Sequence, residues 1–179
     1  MSAFEYVFTF YGLLLGLAAA NVATGFADMW RDRRQVAVGV CTPLIALIVL
    51  LGAMNLWLRF WASREMEAPG PWQLISFAAL ALPYVFISRA MFPGAGGAAS
   101  LEDHYLEHRR VMLLALAAPP TISLISAATL GGGLSFDWST VWVGLRVAAP
   151  LALLPFPGRM INRLGLAAIV GLLIAGLFR

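Results

Sequence analysis

Residues 4–29 read FEYVFTFYGLLLGLAAANVATGFADM, an apolar stretch long enough to cross a bilayer as one helix. It holds two charged residues, Glu5 and Asp28, both near its ends, and the basic segment RDRR follows at residues 31–34. An apolar helix that ends in a cluster of arginines is typical of a membrane span whose arginine end lies in the cytoplasm. No basic segment precedes the stretch, so we interpret it as a retained first span rather than a cleaved signal peptide.

Five more apolar stretches follow the first, and short polar loops separate them. A bilayer core about 30 Å thick needs about 20 apolar residues for each helical crossing, and most of the stretches reach that length. We therefore predict an all-α fold, a six-helix transmembrane bundle that forms one integral membrane domain over residues 1–179. The predicted spans are residues 4–29, 36–61, 72–92, 111–130, 138–154 and 161–178.

The composition agrees with a chain that lies in lipid. Apolar residues make up 61% of the sequence and charged residues only 12%, against about 25% in soluble domains. A net charge of +3 can indicate a nucleic-acid partner, but every basic residue is an arginine and most lie between apolar stretches. We therefore expect the lipid bilayer as a partner and no nucleic acid.

The arginines are distributed unevenly between the two sides of the predicted bundle. The loops after spans one, three and five, with the adjoining span ends, hold Arg31, Arg33, Arg34, Arg89, Arg109, Arg110, Arg159 and Arg163. The opposite side holds Arg59, Arg64 and Arg179. Because arginines accumulate on the cytoplasmic side, this bias predicts that both termini lie on the non-cytoplasmic side.

From Gly12 onward, every fourth residue of span one is small or polar, and these positions share one helix face: Gly12, Gly16, Ala20, Thr24 and Asp28. The small residues predict close helix packing, because they let two backbones approach in lipid. Span six carries a similar stripe around Gly171, which makes it the natural partner for span one or for a second subunit. A second interpretation applies to the cytoplasmic half, where Asn21, Thr24 and Asp28 can line a polar path that opens inward.

One charge breaks the pattern of apolar spans. Arg146 lies about eight residues from either end of span five, where a charge costs at least ~2.5–3.5 kcal/mol on insertion scales. Its side chain is too deep to reach the headgroups easily, so we expect it to face protein or water. The sequence offers no carboxylate at the same depth.

Span four carries polar groups that hairpin geometry brings to the depth of Arg146. Thr121, Ser123 and Ser126 are hydroxyl partners near that depth, and Pro119–Pro120 predicts a kink that frees backbone carbonyls. Three interpretations stay open. Arg146 is a structural hydrogen-bond hub, or it binds an anionic ligand, or it faces a second subunit that supplies a counter-charge.

The segment before span four contains both histidines. His104, Glu107 and His108 match the H-x-x-E-H pattern of inverted zinc peptidases, but such a site needs a third ligand. The acidic residue downstream, Asp137, is predicted on the other side of the membrane. We interpret the segment as a solvated amphipathic helix, with a structural or catalytic metal site as the weaker alternatives. We predict no enzyme, no cofactor and no metal.

The pattern of residues 4–7 (FEYV), residues 13–17 (LLLGL) and residues 31–34 (RDRR) resembles small uncharacterised polytopic inner-membrane proteins of Gram-negative bacteria. The aromatic-rich approach to span four, residues 104–110, is similar to them as well. The resemblance implies a multi-pass protein of the bacterial inner membrane, and it carries no assigned activity.

Two classes of function follow from these residues. In the first, the chain is a transporter or channel for a small solute. If Arg146 binds that solute, the solute is an anion. The hydroxyls of span four then surround the site, and the polar residues of span one form an inner vestibule. In the second, the chain is a non-catalytic accessory or scaffold subunit of a homo-oligomer or a larger membrane complex.

Overall fold

The computed structural model describes residues 3–31, 36–62, 71–94, 100–130 and 137–177. These residues form six α-helices and no β-strand: α1 (Ala3–Arg31), α2 (Cys41–Ala62), α3 (Pro71–Ala90), α4 (Leu101–Leu130), α5 (Trp138–Ala152) and α6 (Arg159–Leu177). The prediction of an all-helical chain is confirmed. Arg33, Arg34, Arg64 and Arg179, which entered the prediction of orientation, lie outside the described residues.

Four helical segments are long and apolar enough to cross a membrane: Val7–Arg31, Cys41–Ala62, Leu101–Thr129 and Arg159–Leu177. A shorter apolar segment, Ile75–Ala90, lies in α3. Length and hydropathy therefore support a multi-pass membrane protein in contact with the lipid bilayer.

Successive helices run in opposite directions, and α2 packs against α1, α3, α4 and α6. The bundle therefore has two distinct ends. At one end α2, α4 and α6 begin and α5 finishes, and we call it the Glu102 end after its buried carboxylate. At the other end α2 and α6 finish and α5 begins, and we call it the Arg59 end.

The packing face of α1 differs from the predicted one. Its buried side chains recur at helical spacing on one face: Val7, Tyr11, Leu15, Ala18 and Val22. A Cβ built on Gly12, Gly16 or Gly171 would meet nothing within 4 Å. The small stripes of α1 and α6 therefore face away from the core of the chain, and α1 packs mainly on α3. Pairing of these stripes between two copies stays a prediction.

Two helix boundaries also differ from the predicted spans. α2 begins at Cys41 instead of residue 36, because the segment before it pairs with the start of α4. The carbonyl of Ala37 accepts a hydrogen bond from the amide of Leu101, and Gly39 adopts a positive φ of 65° close to the Glu102 side chain. α4 begins at Leu101 rather than at residue 111, so the polar segment before span four is a continuous part of the helix.

The proline pair does not interrupt α4. The helix runs through Pro119 and Pro120, both of them buried, over a single stretch of 30 residues. The Thr121 hydroxyl donates to the carbonyl of Ala117 at 2.7 Å, and not to the carbonyls that the prolines leave without an amide donor. The effect of the prolines is therefore local.

A candidate anion path along Arg146

Arg146 projects from α5 toward α2 and α3. Its Nη1 donates a hydrogen bond to Oδ1 of Asn55 at 3.2 Å, and its guanidinium also interacts with the hydroxyl of Tyr84. Both partners are buried, at 6% and 4% exposure. Tyr84 reaches this position because Gly52 leaves room for its ring, which occupies the place where a Cβ of Gly52 would be. The guanidinium is thus held by neutral groups of its own chain.

Two small cavities adjoin the guanidinium. One of about 30 Å³ lies between Asn55, Arg59, Ser123 and Arg146. The other, of about 20 Å³, extends past Arg146 along Tyr84 and Pro120. A cavity needs about 10–15 Å³ to hold a water molecule, so each of them has room for one or two waters and no larger solute.

A much wider cavity opens at the Arg59 end. Its volume is about 510 Å³, within the range of about 300–1,000 Å³ typical of small-molecule sites. Its walls come from α2, α5 and α6: Asn55, Leu58, Arg59, Ala62, Trp138, Ser139, Trp142, Gly176 and Leu177. We call it the wide cavity. Asn55 and Arg59 line both the wide cavity and the 30 Å³ cavity, so the two share a wall at these residues.

Two arginines, Arg59 and Arg146, supply the charged groups among the described residues that line these cavities. Arg59 and Arg146 line the same cavity, and their charges repel each other. Among the described residues that line the three cavities there is no aspartate or glutamate. Asn55, one helical turn before Arg59, accepts the hydrogen bond from Arg146. The 30 Å³ cavity therefore has an arginine from α2 and an arginine from α5 in its walls.

The Glu102 end is held together by charged contacts. Glu102 is buried, and its two oxygens accept from Nε and Nη2 of Arg163 at 2.7 and 2.8 Å. It also accepts from the amide of Val40 at 3.4 Å. A second, exposed pair joins Arg159 to Asp103 at 2.5 Å. These contacts tie the start of α4 to the starts of α2 and α6.

Hydrogen bonds to backbone carbonyls and to a buried amide complete the Glu102 end where α5 turns into α6. Asn162, which is fully buried, donates to the carbonyls of Phe156 and Gly158 at 2.8 and 2.9 Å. Its Oδ1 accepts from the hydroxyl of Tyr105 at 2.8 Å. The buried Arg109 donates to three carbonyls of the same turn, Leu153, Leu154 and Phe156. Arg109, which the sequence analysis used as a marker of orientation, thus serves as an internal donor.

The predicted site residues fall into two groups. Ser123 lines the 30 Å³ cavity beside Arg146. Thr121 bonds within its own helix, and Ser126 is half-buried but does not line these cavities.

The polar residues of α1 lie apart from Arg146. Asn21 donates to the Ser88 hydroxyl at 3.2 Å, whereas Thr24 is exposed. Asp28 is also exposed and lies 3.9 Å from Arg31. They belong to the half of α1 nearest the Glu102 end, while the cavities reach Arg146 from the Arg59 end.

A ring nitrogen of each histidine, His104 and His108, lies within hydrogen-bond distance of a backbone carbonyl. Nε2 of His104 lies 3.0 Å from the carbonyl of Ala90, so this nitrogen carries a proton and offers no lone pair to a metal. Nδ1 of His108 lies 3.1 Å from the carbonyl of His104. In the part of the chain that the structure describes, no three His, Cys, Asp or Glu side chains form a metal-binding group.

Asn55, Arg59 and Tyr84 are the site residues that sequence reasoning missed. Asn55 and Arg59 lie four residues apart near the end of span two, which is a signal for one polar helix face. The sequence analysis sought a partner for Arg146 among carboxylates and the hydroxyls of α4. In the structure the partner is the side-chain amide of Asn55 on α2.

Compared with known proteins, the chain matches no protein-family model, no curated protein and no solved structure. The geometry of the cavities and the positions of Arg59 and Arg146 are therefore the observations that bear on its function.

Proposed function

We propose that this protein is a transporter or channel for a small anion. The observation that carries the proposal is the run of adjoining cavities from the Arg59 end to the middle of α5, with Arg59 and Arg146 along it. A charge at mid-span is costly and is typical of a substrate or ion pathway when it lines a cavity. The planar guanidinium suits this role because it binds carboxylate, phosphate or sulfonate oxygens in pairs.

The different widths of the two ends favour a transporter over an open channel. The wide cavity gives access from the Arg59 end, whereas the cavities beyond Arg146 are only water-sized. The Glu102–Arg163 and Asp103–Arg159 pairs join the helices at the far end. Passage of a solute then requires these helices to separate, as in alternating access between two sides of a membrane.

The proposal includes the placement of the chain in its membrane. All six helices cross the bilayer of a bacterial inner membrane, and both termini lie on the non-cytoplasmic side. The uneven distribution of arginines supports this orientation. The Arg59 end then opens to the outside, and the Glu102 end faces the cytoplasm.

Release of anions from proteoliposomes tests the proposal. Vesicles that contain the protein are loaded with chloride, phosphate or benzenesulfonate, and we expect faster release of at least one of them than from protein-free vesicles. Arg146→Ala is expected to lower the rate at least tenfold, because it removes the mid-span cation. The control is Arg110→Ala, which removes the same charge from an exposed position and is expected to retain the wild-type rate. Absence of release by the wild type for all three anions contradicts the proposal.

A second candidate function rests on the outward small-residue stripes. Gly12, Gly16 and Ala20 on α1, with Gly171 on α6, lie away from the core and leave these helix faces open to close approach. Such faces suit a homo-oligomer or an accessory subunit of a larger membrane complex. A wild-type protein without anion release would favour this second function.

A further inference from the structure

The wide cavity has the composition of a site for one class of solute. Two of its walls are apolar or aromatic, formed by Trp138 and Trp142 on α5 and by Leu58 and Leu177 on α2 and α6. Its polar lining comes from Asn55, Arg59 and Ser139, of which Asn55 and Arg59 also line the 30 Å³ cavity of Arg146. A hydrated inorganic ion would leave the apolar walls unused.

The aromatic wall is shaped by neighbouring small residues. Trp138 and Trp142 are one turn apart on α5, with ring centroids 6.4 Å apart and planes inclined by 37°. The Trp142 ring lies beside Gly176, where a Cβ would come within 3.0 Å of Nε1. A side chain at position 176 would therefore contact this ring closely. Gly176 thus leaves room for the Trp142 ring at the wall that α5 and α6 share.

We infer that the wide cavity binds a small amphipathic anion, with its charged group at Arg59 and Asn55 and its apolar body against the two tryptophans. Rings and alkyl chains pack well on indole faces, and two oxygens of a carboxylate, phosphate or sulfonate can pair with a guanidinium. The inference deepens the proposed function, because the wide cavity is the entrance to the path past Arg146. The same chemistry is found in a free aromatic or alkyl acid and in the phosphate and acyl chain of an anionic lipid.

Equilibrium binding tests the inference without measuring transport. The protein is placed in phosphatidylcholine nanodiscs and titrated with benzenesulfonate and with benzenesulfonamide, a neutral molecule of nearly the same shape. We expect the sulfonate to bind at least tenfold more tightly, because a charge-assisted bond to arginine is lost in the amide. Equal affinities for the two probes would overturn the inference.

Two variants locate the binding. Arg59→Gln is expected to weaken benzenesulfonate binding at least tenfold, and Ser139→Leu, which fills the cavity without removing a charge, is expected to weaken it several-fold. Val141→Leu is the matched control, since Val141 is exposed on α5 outside the cavity and is expected to bind as the wild type. Unchanged affinity in both cavity variants would overturn the assignment.

An additional experiment with an anionic lipid distinguishes a lipid from a free organic anion as the ligand. In nanodiscs that contain phosphatidylglycerol, mass spectrometry of the released protein reports whether that lipid is retained. Retention by the wild type and loss in Arg59→Gln identify a lipid phosphate as the occupant, while no retention leaves a free organic anion. If benzenesulfonate binds in a charge-dependent way but no anion is released from vesicles, the binding site is supported and the transport function is contradicted. Release of chloride without benzenesulfonate binding supports transport and removes this ligand class.

Discussion

Replacing Arg146 by leucine is expected to reduce anion release at least tenfold and to change the free energy of unfolding by no more than about 1 kcal/mol. Leucine removes a mid-span charge that costs at least ~2.5–3.5 kcal/mol to insert. It also removes the contacts with Asn55 and Tyr84, whose buried oxygens then lack this partner at a cost of about 1–3 kcal/mol each. The two effects are opposite in sign and similar in size.

Stability and transport therefore have to be measured on the same preparation. Unfolding in mixed micelles by a denaturing detergent gives the free-energy difference, and vesicle release gives the rate. Leu145→Ala, an exposed neighbour on α5, is the control for the stability measurement. If Arg146→Leu is destabilised by 3 kcal/mol or more, the side chain is a structural hub. The interpretation as an anion site would then lose its main support.

Asn162→Leu is expected to lower the free energy of unfolding by about 3 kcal/mol. The buried amide makes three hydrogen bonds, each with a net contribution of about 1 kcal/mol. Leucine has a similar volume, so the loss comes from the bonds and not from a void. It leaves the Tyr105 hydroxyl, at 1% exposure, without the acceptor that it has in the wild type.

A double variant separates this cause from general disruption. Tyr105→Phe removes the hydroxyl, so Asn162→Leu combined with Tyr105→Phe is expected to be more stable than Asn162→Leu alone, by about 1 kcal/mol. Asn21→Leu is the control for removing an amide, because Asn21 is only half-buried and makes one side-chain bond, to Ser88. An additive loss in the double variant would contradict the assigned hydrogen bond.

The sequence predicted the helices well because the physical requirement for a helix in lipid is simple. Every backbone amide and carbonyl in lipid must form a hydrogen bond within the chain. A long apolar stretch meets this requirement by forming a helix. The starts of α2 and α4 were harder to predict. Residues 36–40 are as apolar as a helix start, and they stay outside the helix where Ala37 bonds to Leu101, a partner that is distant in sequence.

The packing face of α1 was beyond the reach of sequence patterns. In water, the buried face of a helix is the apolar face, but lipid removes this contrast. The stripe around Gly16 and the face with Tyr11 and Leu15 have the same helical period. Only the structure shows that the larger side chains pack inside the chain and that the small ones lie outside.

The candidate site was predicted in part. Arg146 was identified from its position alone, because a charge inside an apolar span needs an explanation. Its neighbour Ser123 lines the same cavity, as hairpin geometry between α4 and α5 suggested. Asn55 was missed because its contact with Arg146 joins residues 91 positions apart in the sequence. No local pattern indicates such a pair.

The most direct test of the path is the accessibility of Asn55 to charged thiol reagents. Asn55→Cys is made in a Cys41→Ala background, because Cys41 is the one cysteine of the chain. Met54→Cys is the matched control, since Met54 is exposed on the outer face of α2. Anionic and cationic methanethiosulfonates are compared in liposomes, and each rate is corrected for the reaction with a free thiol.

We expect the cysteine at position 55 to react at least fivefold faster with the anionic reagent, because Arg59 and Arg146 attract it along the cavity. The cysteine at position 54 is expected to react with neither reagent, because the outer face of α2 lies in lipid. An unreactive cysteine at position 55, or a faster reaction with the cationic reagent, would contradict an anion path to Arg146.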